Sequence, residues 1–319
     1  MHTGKRYTPV EFIKWTRVDV LVLLLLATIP TACYALGLTF LALPWQPIAI
    51  MGTAVASIVG FKNNASYNRI WEARQIYGSI INNSRGFGYT LRDALGGKNS
   101  ETVKRMFNRH FAWLTALRFQ LREPRPWENM QRRKNQEYLR EHYQIPEHQS
   151  TLEDELKHYL SDTERSYTLS KKNRATQLTA MQSEELASLR KAGAINDFQW
   201  TQLQRSIMLL TDNQGGAERI KNFPYPRNFA SIATYLLLIF VIFAPFGLLK
   251  EFDYLGNGTF LEGYTIWFNI PFSAIVSWAL HTLDTVGESS VNPFEGSAND
   301  VPITQISRTI EIDMRDMLD

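Results

Sequence analysis

The chain has 319 residues, a formal net charge of +3 and a charged fraction of 20%. So small a net charge does not favour nucleic acid binding, and the single cysteine, Cys33, excludes an intramolecular disulfide and a cysteine-ligated zinc cluster. Charge is nearly absent from four apolar stretches near the two ends and dense in the middle of the chain. Position along the chain therefore indicates the class of protein better than average composition does.

The first apolar stretch runs from Val20 to Trp45 and contains no charged residue. It is longer than the ~20 residues that suffice to cross a bilayer. A secretory signal peptide is the alternative, but its apolar region would be only about 7–15 residues long. We therefore predict a transmembrane helix, in which a membrane bundle can tolerate Pro30.

The second stretch, Pro47 to Phe61, is short for a span by itself. The polar residues that follow, Lys62 to Asn64, contain no helix breaker, so we predict one long helix that crosses the membrane and continues into water. The third and fourth stretches are Phe229 to Leu249 and Tyr264 to Leu283. Both have the length and apolar character of membrane spans.

The basic residues beside these stretches predict the orientation, because cytoplasmic loops are enriched in Lys and Arg. No basic residue separates the first two stretches, as expected for a short outer hairpin. We therefore expect both termini and the long middle segment to be cytoplasmic. The residues that carry this prediction are Lys5, Arg6, Lys14, Arg17, Lys62, Arg69, Arg74, Arg219, Lys221 and Arg227.

The middle of the chain is predicted to be almost entirely helical, without strands or internal repeats. Apolar residues recur at helical spacing from Arg69 to Tyr89 and from Glu101 to Arg122. The polar stretch from Thr151 to Arg174 is predicted to be a mobile loop or an insertion. Helix is expected to resume near Ser183, to turn at Gly193, and to continue from Asn196 to Asp212 until Gly215-Gly216 ends it.

Enzyme motifs are missing from the sequence. The six histidines are scattered, and no HExxH, P-loop, GxSxG or dinucleotide fingerprint is present. The acidic run from Glu153 to Glu155 lies in a polar segment, where a solvated charge run is the simpler interpretation. We therefore expect no enzymatic activity and no required cofactor.

The second apolar stretch carries small and polar side chains within roughly 80° of one another on a helix. Such a stripe is costly against lipid, so it must face protein or water. Helix–helix packing through small residues is one interpretation, and a water-filled pore is the other. The amides at the membrane edge favour water, and a pore would then need a ring of subunits. The stripe consists of Thr53, Ser57, Gly60, Asn64 and Asn68, with Phe61 at its edge.

Three blocks of sequence stand out in order along the chain: Gly60 to Arg85, Gly215 to Ile220 followed by Pro224 to Phe229, and Asn292 to Pro302. These blocks resemble segments of the bacterial bestrophin family. Their order and spacing fit the family from about Lys14 to Met314.

The resemblance implies an all-α fold with four transmembrane helices and a large helical cytoplasmic domain, assembled as a homopentamer around a central pore in the plasma (inner) membrane. The predicted division is an N-terminal part with the first two spans (1–61, pore helix 47–61), a cytoplasmic helical domain (62–228), the last two spans (229–283) and a cytoplasmic C-terminal segment (284–319).

The resemblance also implies pore positions. The three positions of the family's hydrophobic neck fall here on Thr53, Ser57 and Phe61, of which only Phe61 is bulky and apolar. A ring of five Phe61 side chains could gate by dewetting while the hydroxyls hydrate an ion, so we expect a wider or leakier neck than is usual. Asn64 and Asn68 would line the pore below it.

A second constriction of the family lies in the cytoplasmic part and falls here on Phe198. An ordinary core position is the alternative for this residue.

Calcium is bound by eukaryotic relatives near the segment after the fourth span, through an acidic cluster. Here Asn292 and Asp300 match plausible oxygen ligands, but Ser297 and Ala298 stand where the acidic run should be. Because calcium sites need several carboxylates, calcium activation is not expected.

The predicted function is a passive ion channel for monovalent anions such as chloride. The expected partners are further copies of the same chain, the lipid bilayer and the permeant ions, and no nucleic acid. A sodium or potassium channel of the same fold is the alternative. Lys62 and Arg69 near the cytoplasmic mouth, and a stripe without an acidic ring, favour anions. A membrane-anchored regulatory protein that binds a partner through Glu128 to Arg174 is an alternative of another class. A secondary transporter would show inverted repeats, which are absent.

Overall fold

The protein is described here by a computed structural model covering residues 8–97 and 100–319, so the predicted orientation residues Lys5 and Arg6 lie outside the described part. Within these ranges all regular structure is helical, as predicted. The helices are α1 (Pro9–Ala35), α2 (Trp45–Ala94), α3 (Glu101–Arg122), α4 (Arg133–His142), α5 (Leu152–Leu156), α6 (Asp162–Leu169), α7 (Arg174–Lys191), α8 (Asp197–Asn222), α9 (Arg227–Leu255), α10 (Asn269–Ser290) and α11 (Ile303–Asp316).

The chain forms two compact units. The membrane unit comprises 8–68 and Tyr225–Val291, and the polar unit comprises Arg69–Pro224 and Asn292–Asp319. The boundaries at 61, 228 and 283 in the predicted division remain a prediction.

Within residues 8–97 and 100–319, four helical segments are long and apolar enough to span a membrane, which confirms the four predicted spans. The first span begins earlier than its apolar run, because Thr8 and Glu11 form a capping box before the helix. It also ends at Ala35, so the prediction that it extends to Trp45 is wrong. Gly37 follows with a φ of 102°, a left-handed conformation that glycine adopts at low cost.

The long second helix is one continuous element, as the sequence predicts. It starts at Trp45 and reaches Ala94 without interruption at the polar residues after Phe61. In the membrane unit its buried face packs against α9, and Val55 and Val59 share a core with Leu237 and Phe240. The two helices lie so close that a methyl group on Gly52 would be 2.7 Å from the Phe240 ring.

The polar unit is built around α3, whose side chains Phe107, Trp113 and Leu117 are fully buried. Its neighbours include two short helices, α5 and α6, so the mobile-loop alternative for Thr151 to Arg174 is wrong, whereas the insertion alternative stays a prediction. The polar residues that suggested a loop instead cap these helices, as Thr151 does by accepting from the Asp154 amide at 3.2 Å.

The boundaries of α7 and α8 also differ from the prediction. Helix α7 begins at Arg174, where Asn173 caps it, and not near Ser183. Helix α8 passes through Gly215-Gly216 and ends at Asn222, so these glycines do not terminate it. A methyl group at Gly216 would be 3.0 Å from Ile76 of α2, which indicates that the glycine permits close packing inside the helix.

Candidate functional site

The predicted polar stripe lies on one exposed face of α2. All its members in the membrane unit are exposed, and Phe61 has 74% of its surface accessible. No atom lies within 4 Å of the position that a methyl group on Gly60 would occupy. In this chain, therefore, the described residues leave the stripe uncovered, and the exposed members are Thr53, Ser57, Gly60, Phe61, Asn64 and Asn68.

The hydroxyl groups of the stripe are bonded within the helix. Thr53 Oγ1 donates to the Ala49 carbonyl and Ser57 Oγ donates to the Thr53 carbonyl, each at 3.0 Å. Each hydroxyl thus uses its hydrogen on the backbone and keeps its lone pairs for another partner. The face consequently offers hydroxyl acceptors, together with amide groups that can both donate and accept.

Ile50 belongs to the same face, although the sequence pattern did not select it. Its side chain is 72% exposed. At 3.6 residues per turn it lies within about 20° of both Ser57 and Phe61 around the helix axis. A pattern of polar residues does not include an isoleucine. The exposure of the side chains shows that apolar Ile50 precedes the two hydroxyls and apolar Phe61 follows them.

The charge next to Phe61 does not lie on the exposed face. Lys62 is only 2% exposed, and its Nζ donates to Asp284 Oδ1 at 2.6 Å, with Glu288 Oε1 at 3.5 Å. The expectation that Lys62 serves the mouth of a pore is therefore wrong. One residue along a helix turns the side chain by about 100°, which directs it inward toward α10. The spacing of Asp284 and Glu288, four residues apart at the end of an apolar stretch, is the sequence feature that could have indicated this pairing.

Arg69, the second charge expected at the mouth, donates from Nη2 to the carbonyls of Ile220 and Phe223 at 2.8 and 3.0 Å. These carbonyls lie at the C-terminal end of α8, where a guanidinium satisfies groups without a partner inside the helix. The Arg69 guanidinium thus caps the C-terminal end of α8.

Phe198 is 88% exposed in the first turn of α8, just after the cap formed by Asn196 and Gln199. This exposure excludes the alternative of a core position within the chain. Its place at a constriction remains a prediction.

The two calcium-ligand candidates, Asn292 and Asp300, are both buried. Asp300 Oδ2 accepts from the amides of Gly296 and Ser297 at 2.7 and 3.0 Å, and Oδ1 accepts from the Ser297 hydroxyl at 2.5 Å. Its oxygens are therefore already used as acceptors. Among the described residues no group of three or more His, Cys, Asp or Glu side chains is placed to hold a metal ion. The fit to calcium is poor.

Glu295, which the sequence analysis did not single out, is buried between these candidates. Its Oε2 accepts from the Asn129 amide at 2.9 Å, whereas Oε1 has no partner among the described residues. Burial, with a smaller contribution from the neighbouring Asp300 carboxylate, raises the pKa of Glu295 to about 8. The segment after the fourth span is thus held by internal hydrogen bonds around a carboxyl group that binds its proton tightly.

In the described part of the chain, four apolar spans and an exposed, mostly polar face on one of them define an integral membrane protein of all-helical architecture. The sequence matches the family described as "Bacterial/Fungal Bestrophin protein" over residues 12–316. The chain belongs to this bestrophin family.

Curated relatives include the voltage-dependent anion channel-forming protein YneE of Escherichia coli K12, which is 26% identical over 274 residues, or 86% of this chain and 76% of that protein. A protein of the same description from Nostoc sp. is 26% identical over 282 residues, or 85% of this chain and 78% of the relative. The fold is similar to the crystal structure of a bacterial bestrophin homolog from Klebsiella pneumoniae, with a TM-score of 0.74, 23% identity and coverage of 94% and 97% of the two chains.

Proposed function

We propose that the chain forms a passive channel for monovalent anions, with one α2 from each subunit of a homopentamer lining a shared pore. The observation that carries this proposal is the uncovered polar face of α2 in a helix apolar enough to span the membrane. Polar groups within a bilayer must face protein or water, and one chain supplies one such face. Rotational assembly of identical subunits brings copies of that face around one axis.

The side chains suggest how ions would pass. A ring of Phe61 would form an apolar constriction that excludes water unless it widens, and Ile50 would form a second apolar ring on the outer side of Thr53 and Ser57. Asn64 and Asn68 offer amide hydrogens to an anion directly. The hydroxyls must first leave their backbone carbonyls before they can donate. Anion binding is therefore assigned mainly to the amides.

The names of the curated relatives support anion selectivity, since they are described as anion channel-forming proteins. Lys62 and Arg69 do not add to this support. Lys62 is buried in an ion pair, and the Arg69 guanidinium binds carbonyls at the end of α8. A monovalent cation channel is the second candidate. The outward lone pairs of Thr53 and Ser57 favour it, because oxygen acceptors replace water around a cation.

The proposed location is the plasma (inner) membrane, with both termini and the polar unit on the cytoplasmic side. The basic residues Lys14 and Arg17 in α1 support this orientation. We also propose that the chain conducts ions without catalysing a reaction. Conduction should not need calcium either, because Asp300 already accepts three hydrogen bonds. Chelation of calcium should then leave the current unchanged.

A reversal-potential measurement tests the proposal directly. Purified full-length protein in a planar bilayer, under a gradient of potassium chloride, should give a current that reverses close to the chloride equilibrium potential. Reversal close to the potassium potential would contradict anion selectivity and support the second candidate. Absence of any current from oligomeric protein would contradict the channel itself and favour a membrane-anchored binding protein.

A further inference from the structure

The polar unit has a partly open cavity of about 200 Å³ between α3, α11 and the segment around α5. Phe111 and Leu114 of α3 form an apolar wall, and Arg118, one turn further along the same helix, also lines the cavity. Ser307 and Arg308 of α11 line the other side. At about 30 Å³ for each water molecule, the space holds about six or seven waters or one compact organic molecule.

The two carboxylates at the cavity are already satisfied by the protein. Glu311 accepts from the Tyr159 hydroxyl through Oε2 and from Arg315 Nε through Oε1, each at 2.9 Å, and Arg308 Nη1 lies 3.0 Å from Oε2. Glu155 accepts from Arg118 Nη2 at 2.7 Å and from a serine hydroxyl at 2.9 Å. The protein therefore has little acceptor capacity left for a ligand in this cavity.

Donors, in contrast, remain in excess. Ser307 is only 7% exposed, and its hydroxyl has no hydrogen-bond partner among the described residues. Arg118 donates through Nη1 to Glu147 at 2.6 Å and through Nη2 to Glu155. These bonds use two of the five N–H groups of its guanidinium. A buried polar group without a partner is unfavourable, and among the residues that line the cavity the groups left over are donors.

Arg308 can supply charge without leaving another group unpaired. Its side chain is 65% exposed, and its contact with Glu311 is shared with Arg315, which approaches the same carboxylate from the next turn at 2.8 Å. If Arg308 turns toward the cavity, Glu311 keeps Arg315 and the Tyr159 hydroxyl. The cavity thus has a movable cation at its edge.

We propose that this cavity binds a small organic monocarboxylate. The carboxylate oxygens accept from the Ser307 hydroxyl and the Arg308 guanidinium, and a free N–H of Arg118 adds a further donor. The apolar part of the ligand lies against Phe111 and Leu114. An inorganic anion would satisfy the donors but leave this wall in contact with water. A neutral analogue would fill the cavity but fail to pair with Arg308.

Isothermal titration calorimetry on the purified full-length protein in detergent tests this site with sodium benzoate as the probe. Benzamide serves as the neutral analogue of matched shape, and sodium chloride as the control for ionic strength. Saturable heat from benzoate alone is expected. Equal heat from benzamide or chloride would overturn the carboxylate class. No saturable heat at millimolar benzoate would mean that the cavity holds water only, which overturns the site.

Two variants locate the binding. Ser307→Ala removes one donor and is expected to weaken benzoate binding by about threefold to tenfold. Its melting temperature should not fall, because the hydroxyl has no partner to lose. Arg308→Gln should weaken binding further. Arg205→Gln, an exposed position on α8 away from the cavity, is the matched control and should bind as the unmodified protein does. Unchanged affinity in both cavity variants would overturn the assignment, and these readouts do not depend on conduction.

Discussion

Lys62 and Asp284 form a buried ion pair, with Nζ 2.6 Å from Oδ1 and side-chain exposures of 3% and 7%. The pair joins α2 to α10 at the residue after Phe61, about 100° around the helix from it. Asn63 adds to this junction, since a methyl group on Gly287 would meet its side chain at 2.5 Å. The position of Phe61 on the exposed face is therefore fixed by a charged contact.

Breaking this pair should strongly destabilise the protein. Asp284→Asn removes the nearer anion of the buried Lys62 ammonium and leaves Glu288 at 3.5 Å. Loss of one partner from such a pair costs up to about 3–5 kcal/mol. Thermal melting of the detergent-solubilised protein should show a clear decrease. The double variant Lys62→Met with Asp284→Leu should recover most of it, because a well-packed apolar pair replaces buried charge at little cost. A single variant as stable as the unmodified protein would argue against the pair.

Phe61 should control the width of the proposed constriction. Phe61→Ala is expected to raise the current severalfold, because a smaller ring no longer excludes water. Ser57→Phe should lower it by adding a bulky ring between those of Ile50 and Phe61. Ile232→Ala, at an exposed position of α9, is the control and should conduct normally. Single-channel recordings in bilayers measure all three, and unchanged conductance in both α2 variants would count against pore lining by this face.

His110 should make the polar unit sensitive to acid. Burial lowers the pKa of its imidazole from 6.5 to about 3, while Nε2 lies 2.9 Å from Ser84 Oγ. Between pH 3 and pH 6.5 the unfolded chain binds the proton and the folded chain does not. The free energy of unfolding therefore decreases as the pH falls below 6.5. The slope should approach about 1.4 kcal/mol per pH unit. His110→Gln should flatten it in chemical unfolding measured from pH 7 to pH 4, and an equally steep slope in the variant would refute the assignment.

Glu295 should have the opposite effect. Its pKa is raised from 4.5 to about 8, mainly by burial, so the folded chain holds a proton that the unfolded chain has released. The contribution of Glu295 to the free energy of unfolding is fully present below pH 4.5 and is lost as the pH rises toward 8. Glu295→Gln mimics the protonated form, and it should be more stable than the unmodified protein at pH 8.5 but not at pH 4.5. Equal melting curves at pH 8.5 would contradict the raised pKa.

Two glycines of α2 should respond differently to the same substitution. Gly52→Ala places a methyl group 2.7 Å from the buried ring of Phe240, and overpacking of this kind typically costs about 1–3 kcal/mol. Gly60→Ala meets no atom within 4 Å, so the higher helix propensity of alanine should leave stability equal or improve it by up to about 1 kcal/mol. Melting temperatures of the two variants provide the comparison, and similar losses would indicate that the Gly60 face is covered.

The sequence predicted features that depend on one segment alone. Charge-free length predicts the four spans, and angular spacing predicts the exposed face of α2, because both are properties of a single helix. Pairings between distant segments were missed. Lys62 and Asp284 are 222 positions apart. The spacing of Asp284 and Glu288 marks a face that needs a cation, but it does not identify Lys62 as the partner. The glycines of α8 were misjudged for the same reason, since Ile76 of another helix explains why Gly216 lies inside a helix.

The single exposed face on α2 has a consequence for mixed populations of protein. In the proposed homopentamer each chain would contribute one wall segment, so cells that produce normal and Phe61→Ala chains together would assemble channels of every intermediate composition. The recordings would then show a ladder of discrete current levels, one more than the ring has members. Counting those levels would give the stoichiometry from electrical data, and an altered chain would affect its normal neighbours in the manner of a dominant allele.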